Sequence, residues 1–203
     1  MKDKIVLKDK LDINNLINII KIDPKNILLL KLPSYVWAIL LGLIINPLGQ
    51  YYNIKTGADG VDYYGEVHKS KFNCFMHTIG MPFTIYGFLN CLPALFNLTP
   101  KQSIRFIYNL YFIYLAHYMS IDWKIGGLYT LIYTPVTVIN ALNKYSGSNN
   151  EKFKNGLLLS TIALTFQEGI GHYYGGDNPS RVEAIPNAIL YAKYFSLYHL
   201  IYK

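Results

Sequence analysis

Charged side chains are scarce. They make up 15% of the 203 residues, against about 25% in an ordinary soluble domain. With 52% hydrophobic residues and a mean hydropathy of +0.19, this shortfall excludes a disordered chain and argues against a typical soluble enzyme. Cysteine is nearly absent. Cys74 and Cys91 lie inside apolar runs, so they read as small buried hydrophobes rather than a disulfide frame or a zinc site. There is no HExxH, CxxC or GxSxG pattern, no strand alternation of useful length and no internal repeat. Acidic residues are few: 12 Asp and Glu against 19 Lys and Arg, a net charge of +7. The basic residues are dispersed, so no nucleic-acid partner is expected, and flanks of membrane helices explain them more simply.

The chain does have long stretches free of charge: 32–54, 72–100, 106–121, 125–143 and 155–167, with only Lys193 interrupting 184–202. A bilayer core needs roughly 20 mostly apolar residues per helix. The expected fold class is therefore all-α, a polytopic membrane helix bundle of about five to six helices. Residues 1–31 differ. They mix Lys and Asp around a helical face of Ile13, Leu16, Ile17 and Ile20, an amphipathic basic extension lacking signal-peptide features. Residues 32–59 read as an extra membrane helix and loop, and 60–203 as the functional domain.

Breakers divide the rest. Pro33 and Pro47 bracket a helix at about 34–46. Gly57, Asp59 and Gly60 suggest a polar loop. Pro82 suggests a kink, or a short helix followed by a span. Asn97 to Pro100 ends that block, and Asp122, Gly126 and Gly127 separate two further spans. Residues 145–150, YSGSNN, form a polar turn, and Gly175 to Pro179 form a loop.

The five histidines carry most of the chemistry. His68 and His77 are nine apart, which on one unbroken helix would place them on opposite sides. A break near Lys69, Ser70 and Lys71 is expected, with Asn73 and His77 on one face. Glu168 and His172 are four apart and share a face, and Gly171 beside them permits close approach. An ionisable group at membrane depth is costly and marks a functional candidate. The plainer alternative places Glu168 and His172 at the interface, in water. Histidine with carboxylate suits iron, zinc or copper. The absence of HxxxH and HxxHH boxes excludes a di-iron site of the desaturase type, leaving a mononuclear one.

Tyr63-Tyr64-Gly65-Glu66-Val67-His68, then Asn73, His77, Gly80 and Pro82, resembles the opening signature of the membrane-bound 2-hydroxy fatty acid dioxygenases, the yeast-type enzymes of fatty acid α-oxidation. In that signature Asn follows a His by five residues, a second His comes four later, and Gly-x-Pro follows. Gly171-His172, Pro179 and Ala192-Lys193-Tyr194-Phe195 occupy the places of a second, looser signature. The resemblance covers roughly residues 60–203. Lys69 stands where many members have another His, Glu168 where they have Gln (with Gln167 one earlier), and Lys193 where they have Pro. The Glu usual in the late loop is missing, with Gly176 and Asp177 nearest.

The resemblance implies an integral membrane protein of the endoplasmic reticulum that uses Fe(II), O₂ and a 2-hydroxy fatty acid drawn from membrane lipid. His68, His77 and His172 are the implied metal ligands. Glu168 is a fourth ligand or orients one, and Asn73 contacts the substrate carboxylate or makes an interhelical hydrogen bond. His117 is expected at the interface and His199 as a structural partner. Arg181 and Lys193 are ordinary anchors at span ends, or contacts to an anionic headgroup. Competing expectations are a non-catalytic membrane protein with structural histidines, a small proton-coupled transporter, and a lipid enzyme of another kind.

Overall fold

A computed structural model describes residues 23, 25, 27–31, 35–178 and 185–202. The amphipathic face at 13–20, Pro33, Pro179 and Arg181 lie outside the described residues. Among the described residues the chain is all-helical, with no strand. A single turn, α1 (Leu28–Lys31), precedes α2 (Tyr35–Tyr51), α3 (Gly57–Gly65), α4 (Lys71–Leu95), α5 (Pro100–Ile121), α6 (Trp123–Leu142) and α7 (Asn149–Leu164). A π-helical stretch, Thr165–Gly171, leads into the short α8 (His172–Gly175), and α9 (Ile185–Tyr202) closes the fold.

Local chemistry sets most helix starts. The Ser70, Thr99, Asp122 and Ser148 side chains each accept a backbone N–H of the helix that follows, and Thr99 with Gln102 and Ser148 with Glu151 complete capping boxes. Gly176, at φ +74°, ends α8 in the left-handed conformation.

Three expectations are corrected. The first helix does not stop at 46 but runs through Pro47 to Tyr51. Residues 57–60 are not a loop but the start of α3. The Gly57 N–H donates to the Tyr191 hydroxyl at 2.6 Å, and Gly60 leaves room for the Tyr191 ring, so packing on α9 imposes a helix that two glycines disfavour. Gly126 and Gly127 lie inside α6, because the Asp122 cap alone separates it from α5. Pro82 and Pro93 both sit within an α4 assigned as one helix.

α4 is the central helix. It lies along α7 and also meets α5, α6, α8, α9 and the π-helical stretch. Gly87 and Gly156 make the α4–α7 approach possible: a Cβ on Gly156 would fall 2.8 Å from the Cys91 nitrogen. Tyr64, Tyr118, Tyr129, Tyr133 and Tyr191 dominate the buried core. The helices Lys71–Leu95 and Trp123–Tyr145 are each long and apolar enough to cross a membrane, and α2 is a shorter apolar helix.

Candidate metal centre

His68 lies in the connector between α3 and α4, His77 is in the second turn of α4, and His172 opens α8. The break expected near Lys69, Ser70 and Lys71 is present up to Ser70, with Lys71 already opening α4, and it turns His68 back towards His77. All three side chains are buried, and one ligand nitrogen from each lies within 4.8 Å of the others. Ring centroids stand 4.6 Å apart for His68–His77, 4.8 Å for His68–His172 and 5.5 Å for His77–His172.

Their orientation is fixed from behind. His68 Nδ1 lies 2.9 Å from the Tyr64 carbonyl, and His172 Nδ1 lies 2.7 Å from the Asn178 carbonyl. A carbonyl only accepts, so both rings carry a proton on Nδ1, and the neutral form of each presents Nε2 forward as a lone pair. That is how metal-binding imidazoles are commonly held. Tyr64 stacks on the His68 ring at 4.2 Å, with Phe195 at 5.6 Å. Burial pushes the His68 imidazole down to about 4, so it is neutral near pH 7.

The forward nitrogens make no hydrogen bond. His68 Nε2, His172 Nε2 and both His77 nitrogens are buried without a partner. Each such atom costs about 1–3 kcal/mol. Three inward lone pairs with no donor to satisfy them fit a cation well, and one metal ion would engage all three together. The Glu168 carboxylate borders the same space, 3.5 Å from His172 Nε2 and 4.0 Å from His77 Nε2. Its side chain is 42% exposed, so one edge of the centre is open.

The π-helical stretch accounts for a departure noted in the sequence. Its i→i+5 bonding widens the turn by one residue. Gln167, five before His172, is therefore turned towards α4 and fully buried, while Glu168 still reaches the histidines. Gln167 Nε2 donates to Thr84 Oγ1 at 2.7 Å and to the Ala163 carbonyl at 3.0 Å, and Gly80 leaves the space its side chain fills.

Asn73 lies directly behind the centre. Its Nδ2 donates to Asp177 Oδ2 at 2.9 Å, and the same carboxylate accepts the backbone N–H of Lys69 and Ser70. Asn73 thus joins α4 to the loop after α8 rather than to another helix. Partial burial raises the Asp177 carboxyl, but the hydrogen bonds from Asn73, Ser70 and Lys69 outweigh it and hold the group below its usual range. The expected close approach at Gly171 is also present, to Asn73 Oδ1.

His117, expected at the membrane interface, is buried within the bundle. It is 0% exposed on α5, beside the Tyr191 ring at 5.5 Å, and neither of its nitrogens is hydrogen-bonded. It does not join the three-histidine cluster. His199 Nε2 lies 3.1 Å from Cys74 Sγ and its ring packs on Phe195, so it too stands outside the cluster, as a structural partner. Lys193, expected as an anchor at a span end, is buried. Sequence reasoning gave no site role to Asp177 or Gln167, and gave Lys193 only that of an anchor or headgroup contact. The signal for Lys193 was available, since it is the single charge in an otherwise uncharged block.

A cavity of about 580 Å³ opens beside the histidines. His77, Gln167 and Glu168 border one end, and Phe88, Leu92 and Phe96 line it further along α4. The rise from His77 to Phe96 is roughly 28 Å on an α-helix. No family model, no curated protein and no solved structure matches this chain.

Proposed function

We propose that this chain is an Fe(II)-dependent dioxygenase that shortens a 2-hydroxy fatty acid by one carbon. The observation that carries the proposal is the convergence of three buried imidazoles, from His68, His77 and His172, with one ring nitrogen of each within 4.8 Å of the others. Three imidazoles with a flanking carboxylate suit iron with open positions. The sequence resemblance supplies the reaction class, and the cavity supplies room for an acyl chain.

The reaction balances without a further reductant: a 2-hydroxy acid and O₂ yield the acid one carbon shorter, CO₂ and water. Bound at the three histidines, iron would supply Lewis acidity and a site where O₂ and the hydroxy acid meet. The protein's own part is positional. The carbonyls of Tyr64 and Asn178 hold two imidazoles in the tautomer that presents Nε2. Gln167 and Glu168 fix the rim, and the aromatic walls of the cavity exclude water from the acyl chain.

We further place the protein in a membrane as a polytopic chain, with the endoplasmic reticulum as the compartment the resemblance implies. Supporting this are two helices of spanning length and the outward apolar side chains Phe75, Phe83, Leu131, Leu158 and Ile162. Lipid substrates would then reach the cavity from the bilayer.

The test is direct. Protein purified in detergent should carry iron near one atom per chain. With O₂ it should convert 2-hydroxypalmitate to pentadecanoate and CO₂. Iron-free protein that stays inactive after Fe(II) addition would defeat the proposal in favour of a non-catalytic membrane protein.

A further inference from the structure

Lys193 is the one charged residue between 184 and 202, and it is buried. Its surroundings are mainly aromatic and aliphatic, with the buried His117 also near. The amine lies 3.6 Å from the centroid of the Tyr114 ring and donates to the Ile189 carbonyl of its own helix at 3.2 Å. Among the described residues no carboxylate lies within salt-bridge distance of it. An ammonium has three donors, so donor capacity remains after the Ile189 bond. A buried cation without a counter-charge is costly, which makes its position informative.

That position is the wall of the cavity described above, shared with His77 and Glu168. The height along the cavity follows from two contacts. Cys74 of α4 meets His199 of α9 at 3.1 Å, and Thr78 donates to the Ser196 carbonyl at 3.1 Å. The two helices are therefore antiparallel, and three residues before Ser196 brings Lys193 level with about Met81. That is about one helical turn from His77. Tyr111 and Tyr114 of α5 complete the wall near it, and Phe96 and Phe106, 6.1 Å apart, lie towards the opposite end.

We propose that Lys193 binds the carboxylate of a single-chain fatty acid lying in this cavity, with the head at the histidine end and the tail directed towards Phe96 and Phe106. The ligand class follows from the chemistry of the walls. A cation one turn from the histidine end of a largely apolar cavity, with Glu168 and His77 confined to that end, suits an anion joined to one apolar chain. An acid buried there exchanges its hydration for the ammonium, so each charge offsets the other's desolvation. An alcohol of equal length would fill the same space without using Lys193. The proposal deepens the dioxygenase reading, on which the identity of the substrate rests, but acid binding itself requires no metal.

The test uses full-length protein treated with chelator and reconstituted in nanodiscs of zwitterionic lipid. Radiolabelled palmitate and hexadecanol are titrated into wild type, Lys193→Met and Lys193→Arg. Lys193→Met should weaken palmitate binding by about tenfold or more and leave hexadecanol unchanged, while Lys193→Arg should restore most of the palmitate affinity. Equal palmitate binding by wild type and Lys193→Met overturns the proposal. So does a parallel loss of both ligands, which would mean general damage to the cavity, and so does a wild type that binds no palmitate. Lys193-dependent palmitate binding in a protein that never turns over 2-hydroxypalmitate with Fe(II) supports the carboxylate site and defeats the dioxygenase reading. Wild-type turnover with an unchanged KM in Lys193→Met does the reverse.

Discussion

Asn73 and Asp177 are 104 residues apart in the chain, and their side chains meet at 2.9 Å behind the histidine cluster. The contact ties the start of α4 to the loop after α8, the two places that set His68 and His172. Asp177→Ala should therefore loosen the metal centre without removing a ligand. Groups of this kind shift metal affinity by about 10–100-fold. Metal titration of the apo-protein should show a weaker site with unchanged stoichiometry. An unaltered affinity would mean the histidines are held without this clamp.

Removing a ligand should act differently. His77→Ala and His172→Ala should each release the metal and abolish turnover, and the double variant should be no worse than either single one, because ligands act as a unit. His117→Ala should retain the metal and most activity, since His117 is buried away from the cluster. Metal analysis alongside the 2-hydroxypalmitate assay separates the cases. Full activity in His172→Ala would refute the site.

Close packing gives a stability test. A Cβ on Gly171 would fall 2.7 Å from Asn73 Oδ1, so Gly171→Ala must displace the amide that holds Asp177. Overpacking of this sort costs about 1–3 kcal/mol. Thermal unfolding in detergent should show a lowered Tm, and metal affinity should fall with it. Gly127→Ala is the control, since nothing lies within 4 Å of a Cβ there.

The junction of α5 and α6 should respond to acid. The Tyr202 hydroxyl donates to Asp122 Oδ2 at 2.7 Å, and that bond, more than the backbone N–H bonds of Lys124 and Ile125, lowers the Asp122 carboxyl below its usual value. A carboxyl lowered in the folded state contributes stability above its unfolded value, about 3.9, and loses it as pH falls through the folded one. Wild type should thus lose stability below about pH 4 more steeply than Asp122→Asn. Melting curves over pH 3–6 compare the two, and identical slopes would show that the contact is too exposed to matter.

The helical class and the break after His68 were legible in the sequence from local rules: charge-free length, and a spacing of nine that no single helix face can satisfy. That His172 should join His68 and His77 came only from the family resemblance. Tertiary structure decided the rest. Residues 57–65 are helical because Tyr191 packs on them, against the preference of Gly57 and Gly60. Gln167 is buried beside α4 because one widened turn changes which residues share a face with His172, and helical periodicity read from sequence assumes a regular turn. Asn73 hydrogen-bonds Asp177 because two distant segments meet, a contact that neither segment encodes alone. Lys193 has the composition of a span-end anchor, but the antiparallel register of α4 and α9 carries it into the cavity wall near His77, and register between helices is a property of the packed molecule.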